Sequence, residues 1–322
     1  LFMSKNCAKA KPKIMSHITF NKLFFNNEDT CRNFFLNIFH PLGLVCPECG
    51  CVHFTLLKCR NNVYTCSQCS HQVYLFAGTI FQDSKLPLNT LHYGIFLFIT
   101  STKGISAEEL SRQLGINRKS AQLLCQKIRY LMYLDNDCFD LKSKFIEIDG
   151  FHIGGKSHNG KRGLGTDKQP FLVALGTDQL NNYPNRIKLL QVKSENKEEV
   201  KRLMKHIYYD KDTTICTDGD PAYHYLKDRV HLINGVIDYR ESDHLMYWIN
   251  IQISNIKSNI DGIYHGIAKK YINGYIQEHA WRFNHRYRGF KLMFSMMRII
   301  SYSIVMTRKM LKDYYNNASV SD

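Results

Sequence analysis

No stretch of this 322-residue chain approaches the roughly 18 apolar residues in a row that a membrane span needs. The longest candidate, Tyr93 to Ile99, gives way at once to Thr100, Ser101, Thr102 and Lys103. Residues Leu1 to Lys13 lack the apolar core of a secretion signal. Both absences point to a reducing, cytosol-like compartment, where the 11 cysteines read as ligands or buried thiols rather than as disulfides. Negative charge is also scarce: 28 acidic side chains stand against 43 basic ones, for a net charge of +15. A chain this basic calls for an anionic partner, nucleic acid before an anionic membrane or an acidic protein. The excess is 15 basic against 9 acidic up to residue 140 and 28 against 19 after it, so neither half is merely a basic tail. With 44% apolar and 12% aromatic residues the chain can bury ample surface, which excludes intrinsic disorder and a small disulfide-dependent scaffold. Its length accommodates two domains around their own cores.

Against that background the cysteine spacing stands out. Cys46-Pro-Glu-Cys49 and Cys66-Ser-Gln-Cys69 are two C-x2-C pairs with 16 residues between them, the spacing of a structural zinc site with four thiolate ligands. Each pair suits a tight turn that aims two sulfurs at one ion, and Val52-His53-Phe54 and Val63-Tyr64 suit short strands joining the turns. A ribbon of this size has too little core to fold without its metal. Cys51 and Cys59 are spare thiols nearby. A redox role for the two pairs is the alternative, against which thioredoxin-type C-x-x-C motifs come singly beside a βαβ pattern that is absent here. Such ribbons bind nucleic acid, bind protein, or brace a neighbouring domain.

Residues 104 to 133 follow the pattern of a helix-turn-helix. Ser106 and Glu109 form a capping box, and Ala107, Leu110 and Leu114 make one apolar stripe that ends at Gly115. Asn117 is a suitable N-cap for a second helix with Ala121, Leu124, Ile128 and Leu131 facing inward. Its other face carries Arg118, Lys119, Gln122 and Gln126, and side chains of these types read base edges in the major groove. The apolar segment Leu91 to Ile99 is expected to form a helix packed behind the pair.

After residue 140 the pattern becomes strand-rich. Phe145 to Asp149, Phe171 to Leu175, Ile187 to Val192 and Thr213 to Thr217 read as strands, Glu198 to Tyr208 as a helix, and the chain from Asp243 onward as helical almost to its end. The expectation is a mixed sheet flanked by helices. Asp149 and Asp218 each stand at the carboxyl end of an apolar strand, where neighbouring carboxylates can share Mg2+ or Mn2+ for phosphodiester chemistry. An Asp at a strand end also serves as an ordinary turn former. Leu245, Ile249, Ile253, Ile256, Ile260 and Ile263 form a helical stripe, with Asn250, Ser254, Lys257 and Asp261 along its margin. Asn250 and Lys257 are about two turns apart on one face. The first suits metal ligation through its carbonyl oxygen, and the second suits a DNA phosphate. Arg286 and Arg288, in the basic aromatic stretch 282 to 288, are further candidates for phosphate binding.

The order of these parts, with Glu147-Ile148-Asp149-Gly150-Phe151-His152-Ile153-Gly154-Gly155-Lys156, Thr217-Asp218-Gly219-Asp220-Pro221-Ala222-Tyr223, Ile253-Ser254-Asn255-Ile256-Lys257 and Gly262-Ile263-Tyr264-His265-Gly266, resembles insertion-sequence transposases. The resemblance covers roughly residues 20 to 290 and is greatest to the ISXO-like bacterial group, relatives of the eukaryotic Merlin elements. It implies an α/β protein in which a zinc ribbon and a helix-turn-helix precede an RNase H-like catalytic domain with a helical C-terminus. Expected divisions are an N-terminal helical segment 1–40, the ribbon 41–80, the helix-turn-helix region 86–135, the catalytic domain 141–290 and a C-terminal helix and tail 291–322. The resemblance assigns Asp149 and Asp218 as the first two residues of a DDE-type metal site, Asn250 where most such enzymes have Glu, and Lys257 as the basic residue seven further on. Asp243 and Asp261 are alternative third carboxylates. Implied partners are double-stranded DNA, as element ends and target, and further copies of the chain, since two ends must be held together; no membrane is involved. The implied location is the bacterial cytoplasm at the nucleoid, or the nucleus of a eukaryote. Two other activities fit the same parts: a DNA-binding regulator that has lost the reaction, and a nuclease on the same fold.

Overall fold

The computed structural model describes residues 13–25, 27–60, 62–82, 84–154, 168–177, 183–235, 246–264 and 267–317. The chain divides into two compact units, Leu1–Leu131 with His285–Lys312 and Met132–Asn284 with Asp313–Asp322. In the first unit, helix α1 (His17–Phe20) continues as a π-helical turn, Asn21–Phe25, and is followed by α2 (Glu28–Phe39). Ser16 and Asn27 cap the two helices, each accepting from the backbone N–H three residues on. Strands β1 (Phe54–Leu56), β2 (Val63–Cys66) and β3 (Gln72–Tyr74) form an antiparallel meander in that order. The expected strand at Val52 therefore starts two residues late. The His53 carbonyl is instead taken by the Ser67 N–H at 3.0 Å.

Helices α3 (Leu88–Thr100), α4 (Ala107–Leu114) and α5 (Arg118–Asp137) follow. Nine residues of α3 are buried, as an apolar segment packed behind the pair requires. Gly94 lets it come close: a Cβ there would lie 2.8 Å from Leu124 and 3.0 Å from Leu114. The α4–α5 turn is set at both ends. Gly115 adopts φ 63° at the end of α4, and Asn117 Oδ1 accepts the Ser120 N–H at 2.9 Å. The capping box at Ser106 is half present. Ser106 Oγ accepts the Glu109 N–H at 3.1 Å, while the Glu109 carboxylate accepts from Arg112 and Gln113 instead of reaching back.

In the second unit, β4 (Leu141–Lys142) leads into β5 (Phe145–Ile153), β6 (Gln169–Thr177) and β7 (Pro184–Gln191). Then come α6 (Lys197–Met204), β8 (Ile207–Tyr208), β9 (Thr214–Thr217), a 3-10 turn at Pro221–Leu226, and β10 (His231–Asn234). Helices α7 (Tyr247–Tyr264) and α8 (Ile272–Asn284) end the unit's main segment. Among the described residues, five strands form one sheet in the order β10-β9-β5-β6-β7. β5, β6 and β7 are an antiparallel meander, and β9 and β10 add to β5 in parallel. This is the mixed sheet expected of an RNase H-like domain. The helix expected at 198–208 stops at Met204. Ile207 and Tyr208 instead pair with Leu141 and Lys142 in a two-stranded parallel ladder.

The sheet is covered on both faces. Ile249, Ile253, Ile256 and Ile260 of α7 and Ile276 of α8 pack on the face carrying Phe151, Phe171 and Val173. Val200 and Leu203 of α6 pack with Ile146, Ile148 and Ile215 on the other. Each buried isoleucine contributes about 2 kcal/mol of transfer free energy. The stripe of α7 is thus as the sequence periodicity requires, with Ile263 half-buried and Leu245 outside the described residues. The chain then returns to the first unit with α9 (Lys291–Ser301), whose Met296, Met297 and Ile300 are fully buried, and enters α10 (Arg308–Asn317). No helix among the described residues is long and apolar enough to cross a membrane.

Candidate active site and metal centre

The four predicted thiols meet. Cys46 Sγ lies 3.4 Å from Cys69 Sγ, Cys49 Sγ lies 3.6 Å from Cys66 Sγ, and all four sulfurs fall within 4.8 Å of one another. A tetrahedron with Zn–S bonds of about 2.3 Å has edges of about 3.8 Å, so the donors fit zinc in number, kind and spacing. Two equivalent backbone turns produce the arrangement. In the first, the Gly50 N–H donates to Cys46 O at 2.9 Å and the Cys46 N–H to Cys51 O at 2.8 Å. In the second, the Ser70 N–H donates to Cys66 O at 3.0 Å and the Cys66 N–H to His71 O at 2.8 Å. Both turns close through a left-handed residue, Gly50 at φ 71° and Ser70 at φ 61°. Cys51 Sγ accepts the nearby His53 N–H, and Cys59 is exposed.

On α5, Arg118, Lys119 and Gln122 are exposed and Gln126 is half-buried, opposite the fully buried Ala121, Leu124, Ile128 and Leu131. Arg118 pairs with Glu108 at 3.2 Å, with both side chains mostly in solvent. Such a pair is worth less than about 1 kcal/mol and yields readily to a phosphate. Arg286 lies over the Tyr287 ring at 4.5 Å, and the exposed Arg288 donates to Ser295 Oγ at 3.3 Å. Arg282, from the same basic stretch, is instead committed to Glu278 at 2.7 Å, with both side chains nearly buried.

The two predicted aspartates arrive from adjacent parallel strands. β5 pairs with β9 from Phe145↔Thr214 to Glu147↔Cys216, and Asp149 and Asp218 both lie two residues beyond the last pair. Asp149 is nevertheless not at the strand end expected of it, because β5 runs on to Ile153 by pairing with β6, where Asp149 faces Val173. Gly219, at φ 94°, turns the chain after Asp218, and Asp220 Oδ1 caps the following 3-10 turn through the Ala222 N–H at 2.7 Å. Asp149 Oδ1 accepts the Gly150 N–H at 2.8 Å. Burial first and then the negative charge of Asp218 push the Asp149 carboxyl up to about 7; Glu195 adds to the effect, while Gly150 and Lys257 oppose it. Glu195 is itself raised by burial and by the charges of Asp218 and Asp220. Tyr223 is buried beside the same carboxylates, and burial, followed by their charges, drives its hydroxyl well above its usual value.

Asp218, Lys257 and Glu195 are therefore all within electrostatic reach of Asp149, and Asp220 is within reach of Glu195. Asn250 sits in the first turn of α7, its Nδ2 donating to Met246 O at 2.8 Å. Its Oδ1 accepts no hydrogen bond among the described residues. Asp261 is exposed further along α7, and Asp243 lies outside the described residues, as do Gly155, Lys156, His265 and Gly266.

Sequence reasoning missed two acidic residues. Glu147, fully buried on β5, accepts the Ile249 N–H through Oε2 at 2.7 Å and so anchors the N-terminus of α7. Glu195 lies between β7 and α6 in Ser194-Glu195-Asn196-Lys197, which reads as an ordinary helix start; Asn196 does cap α6. The oxygen donors, their mutual repulsion and a buried Glu195 Oε1 that accepts no hydrogen bond suit a divalent cation. The carboxylates stand wider apart than the thiols, the one metal-sized group of three or more such ligands among the described residues.

Residues 141–284 match the ISXO2-like transposase domain, and residues 26–72 match the transposase zinc-ribbon domain, in the order those parts take along this chain. The chain belongs to the DDE-type insertion-sequence transposases. Two solved structures, a pre-cleavage Mos1 transpososome and the Mos1 Strand Transfer Complex, are each 11% identical to it over 67% of this chain and 80% and 79% of theirs. Their TM-scores are 0.22 and 0.20, a likeness too distant to add to the strand order. No curated protein sequence matches. In this transposase the ribbon is a structural zinc centre, and the family's chemistry requires a divalent metal on the sheet domain.

Proposed function

We propose that this transposase binds the terminal inverted repeats of its own element and, at a Mg2+ or Mn2+ site formed by Asp149, Asp218 and Asn250, cuts the DNA and joins it to a target. The observation that carries the reading is the pair of aspartates brought together from adjacent parallel strands, with the charges of Asp218 and Lys257 both acting on Asp149. The ions, when bound, activate a water or a 3′-hydroxyl and neutralise charge on the leaving oxygen. Asp149 surrenders its proton to become a ligand, Asn250 offers its Oδ1, and the exposed Lys257 binds a phosphate of the reacting strand. Arg118, Lys119, Gln122 and Gln126 read the repeats in the major groove, and Arg286 and Arg288 hold the backbone. Two DNA ends require at least two copies of the chain.

The test is a strand-transfer assay with element-end DNA and Mg2+. The wild type cuts and joins, whereas Asp149→Ala and Asp218→Ala each lose cleavage while retaining end binding. Asn250→Ala impairs the reaction, and Asp261→Ala leaves it intact. Cleavage surviving in either Asp variant overturns the assignment. A wild type that binds without cutting is a regulator, and one that cuts without joining is a nuclease.

A further inference from the structure

We propose that Glu195 is a further carboxylate ligand of the cations held by Asp149 and Asp218, an inference that rests on the metal-site reading above. Glu195 stands in the short link between β7 and α6, yet its carboxylate lies directly against the backbone of β5. A Cβ on Gly150 would collide with the Glu195 carboxylate carbon and Oε1, and would come within 2.9 Å of Oε2. The glycine that follows Asp149 thus leaves the room into which the carboxylate fits. A glycine inside a sheet strand costs about 0.5–1 kcal/mol relative to alanine, a cost that a close functional approach offsets.

The carboxylate is incompletely used where it lies. Oε1 is buried and accepts no hydrogen bond, and its basic neighbour, His152 Nδ1, is 3.6 Å away. Asp149 and Asp218 add negative charge in the same region. Carboxylates held near one another without a matching cation repel, and a divalent ion relieves that repulsion. Charge supplies a further reason. With a neutral Asn250, Asp149 and Asp218 set only two negative charges against the ions, and Glu195 restores the third that most DDE sites draw from a glutamate on the helix. It reaches the cluster from the opposite side of the sequence, through the β7–α6 link.

The probe is Mn2+ alone, titrated into the zinc-loaded full chain and followed by the paramagnetic resonance signal of the free ion. Glu195→Gln should weaken Mn2+ binding by about tenfold or more, since even partners beyond the ligand shell commonly cost 10–100-fold. Gly150→Ala, which displaces the carboxylate sterically, should weaken it similarly, and the double variant should be little worse than either single one. Unchanged zinc content and melting temperature in Glu195→Gln show that the fold is intact. If Glu195→Gln binds Mn2+ as the wild type does while Asp149→Asn and Asp218→Asn lose it, Glu195 is no ligand and the aspartate site stands. If all three variants bind normally, the metal-site reading itself fails, and the inference with it.

Discussion

Asp149 holds its proton to about pH 7 because it is buried beside Asp218, and this has a thermodynamic consequence that can be measured without DNA. A carboxyl whose folded value lies above its ordinary 3.8 contributes stability that is fully present below that value and is lost as pH rises through about 7. The displacement corresponds to roughly 4 kcal/mol at most. Metal-free Asp149→Asn should therefore melt progressively higher than the wild type as pH is raised from 4 to 8, and Mg2+ should close the gap by stabilising only the wild type. A gap independent of pH would show that the side chain ionises normally. Ser70 offers a second test at this scale. It holds φ 61° in the position that Gly50 occupies in the other knuckle. A left-handed conformation costs a non-glycine residue about 1–2 kcal/mol, partly offset by glycine's greater freedom when unfolded. Ser70→Gly should therefore slow zinc loss to a competing chelator, and Gly50→Ala should speed it.

The elements differ in how plainly the sequence announces them. The ribbon and the helices α3 to α5 could be read directly because ligand spacing, caps and a 3.6-residue apolar period are local signals. Gly115 and Asn117 take the roles their chemistry suggests. Strands β5, β6, β7 and β9 were equally legible as apolar runs. Ile207 and Tyr208 were not, because they extend the apolar period of α6, and only their pairing with β4 makes them a strand. β10 is short and gains its order from β9. Glu195 was invisible for the same kind of reason: its place near Asp149 comes from the path of the meander, whereas its local sequence specifies only a helix start. Glu147 shows how one element sets another, since its carboxylate accepts from the first turn of α7, the helix that carries Asn250 and Lys257. A hydrogen bond of this kind contributes about 0.5–1.5 kcal/mol. Glu147→Ala should accelerate hydrogen exchange at the Ile249 amide and lower cation affinity. Glu147→Gln, which keeps an acceptor, should do so much less, and equal effects would deny the anchoring role.

For the whole molecule, the +15 becomes a statement about salt. Binding to any DNA should weaken linearly in log–log terms as counterions are restored. Arg286→Ala with Arg288→Ala should lower affinity for element ends and random DNA alike and reduce the salt slope by about 2. Gln122→Ala should instead erode the preference for ends while leaving the slope nearly unchanged, as a base contact does. Filter binding at several salt concentrations separates the two, and a loss of preference in the arginine variant would reverse the roles given to α5 and the 286–288 segment.

The first unit is assembled from both ends of the sequence, Leu1–Leu131 and His285–Lys312. Its second segment brings α9, with Phe294 ring to ring with Phe34 at 5.6 Å, and Ser303, whose Oγ accepts the Ile80 N–H at 3.0 Å. During synthesis the ribbon and α3 to α5 therefore leave the ribosome well before the residues that finish their unit, and the entire sheet domain is made in between. A nascent or prematurely terminated chain ending near residue 284 would carry a competent zinc knuckle while displaying an uncovered aromatic surface. The first unit is thus finished only when its second segment, His285–Lys312, has been made.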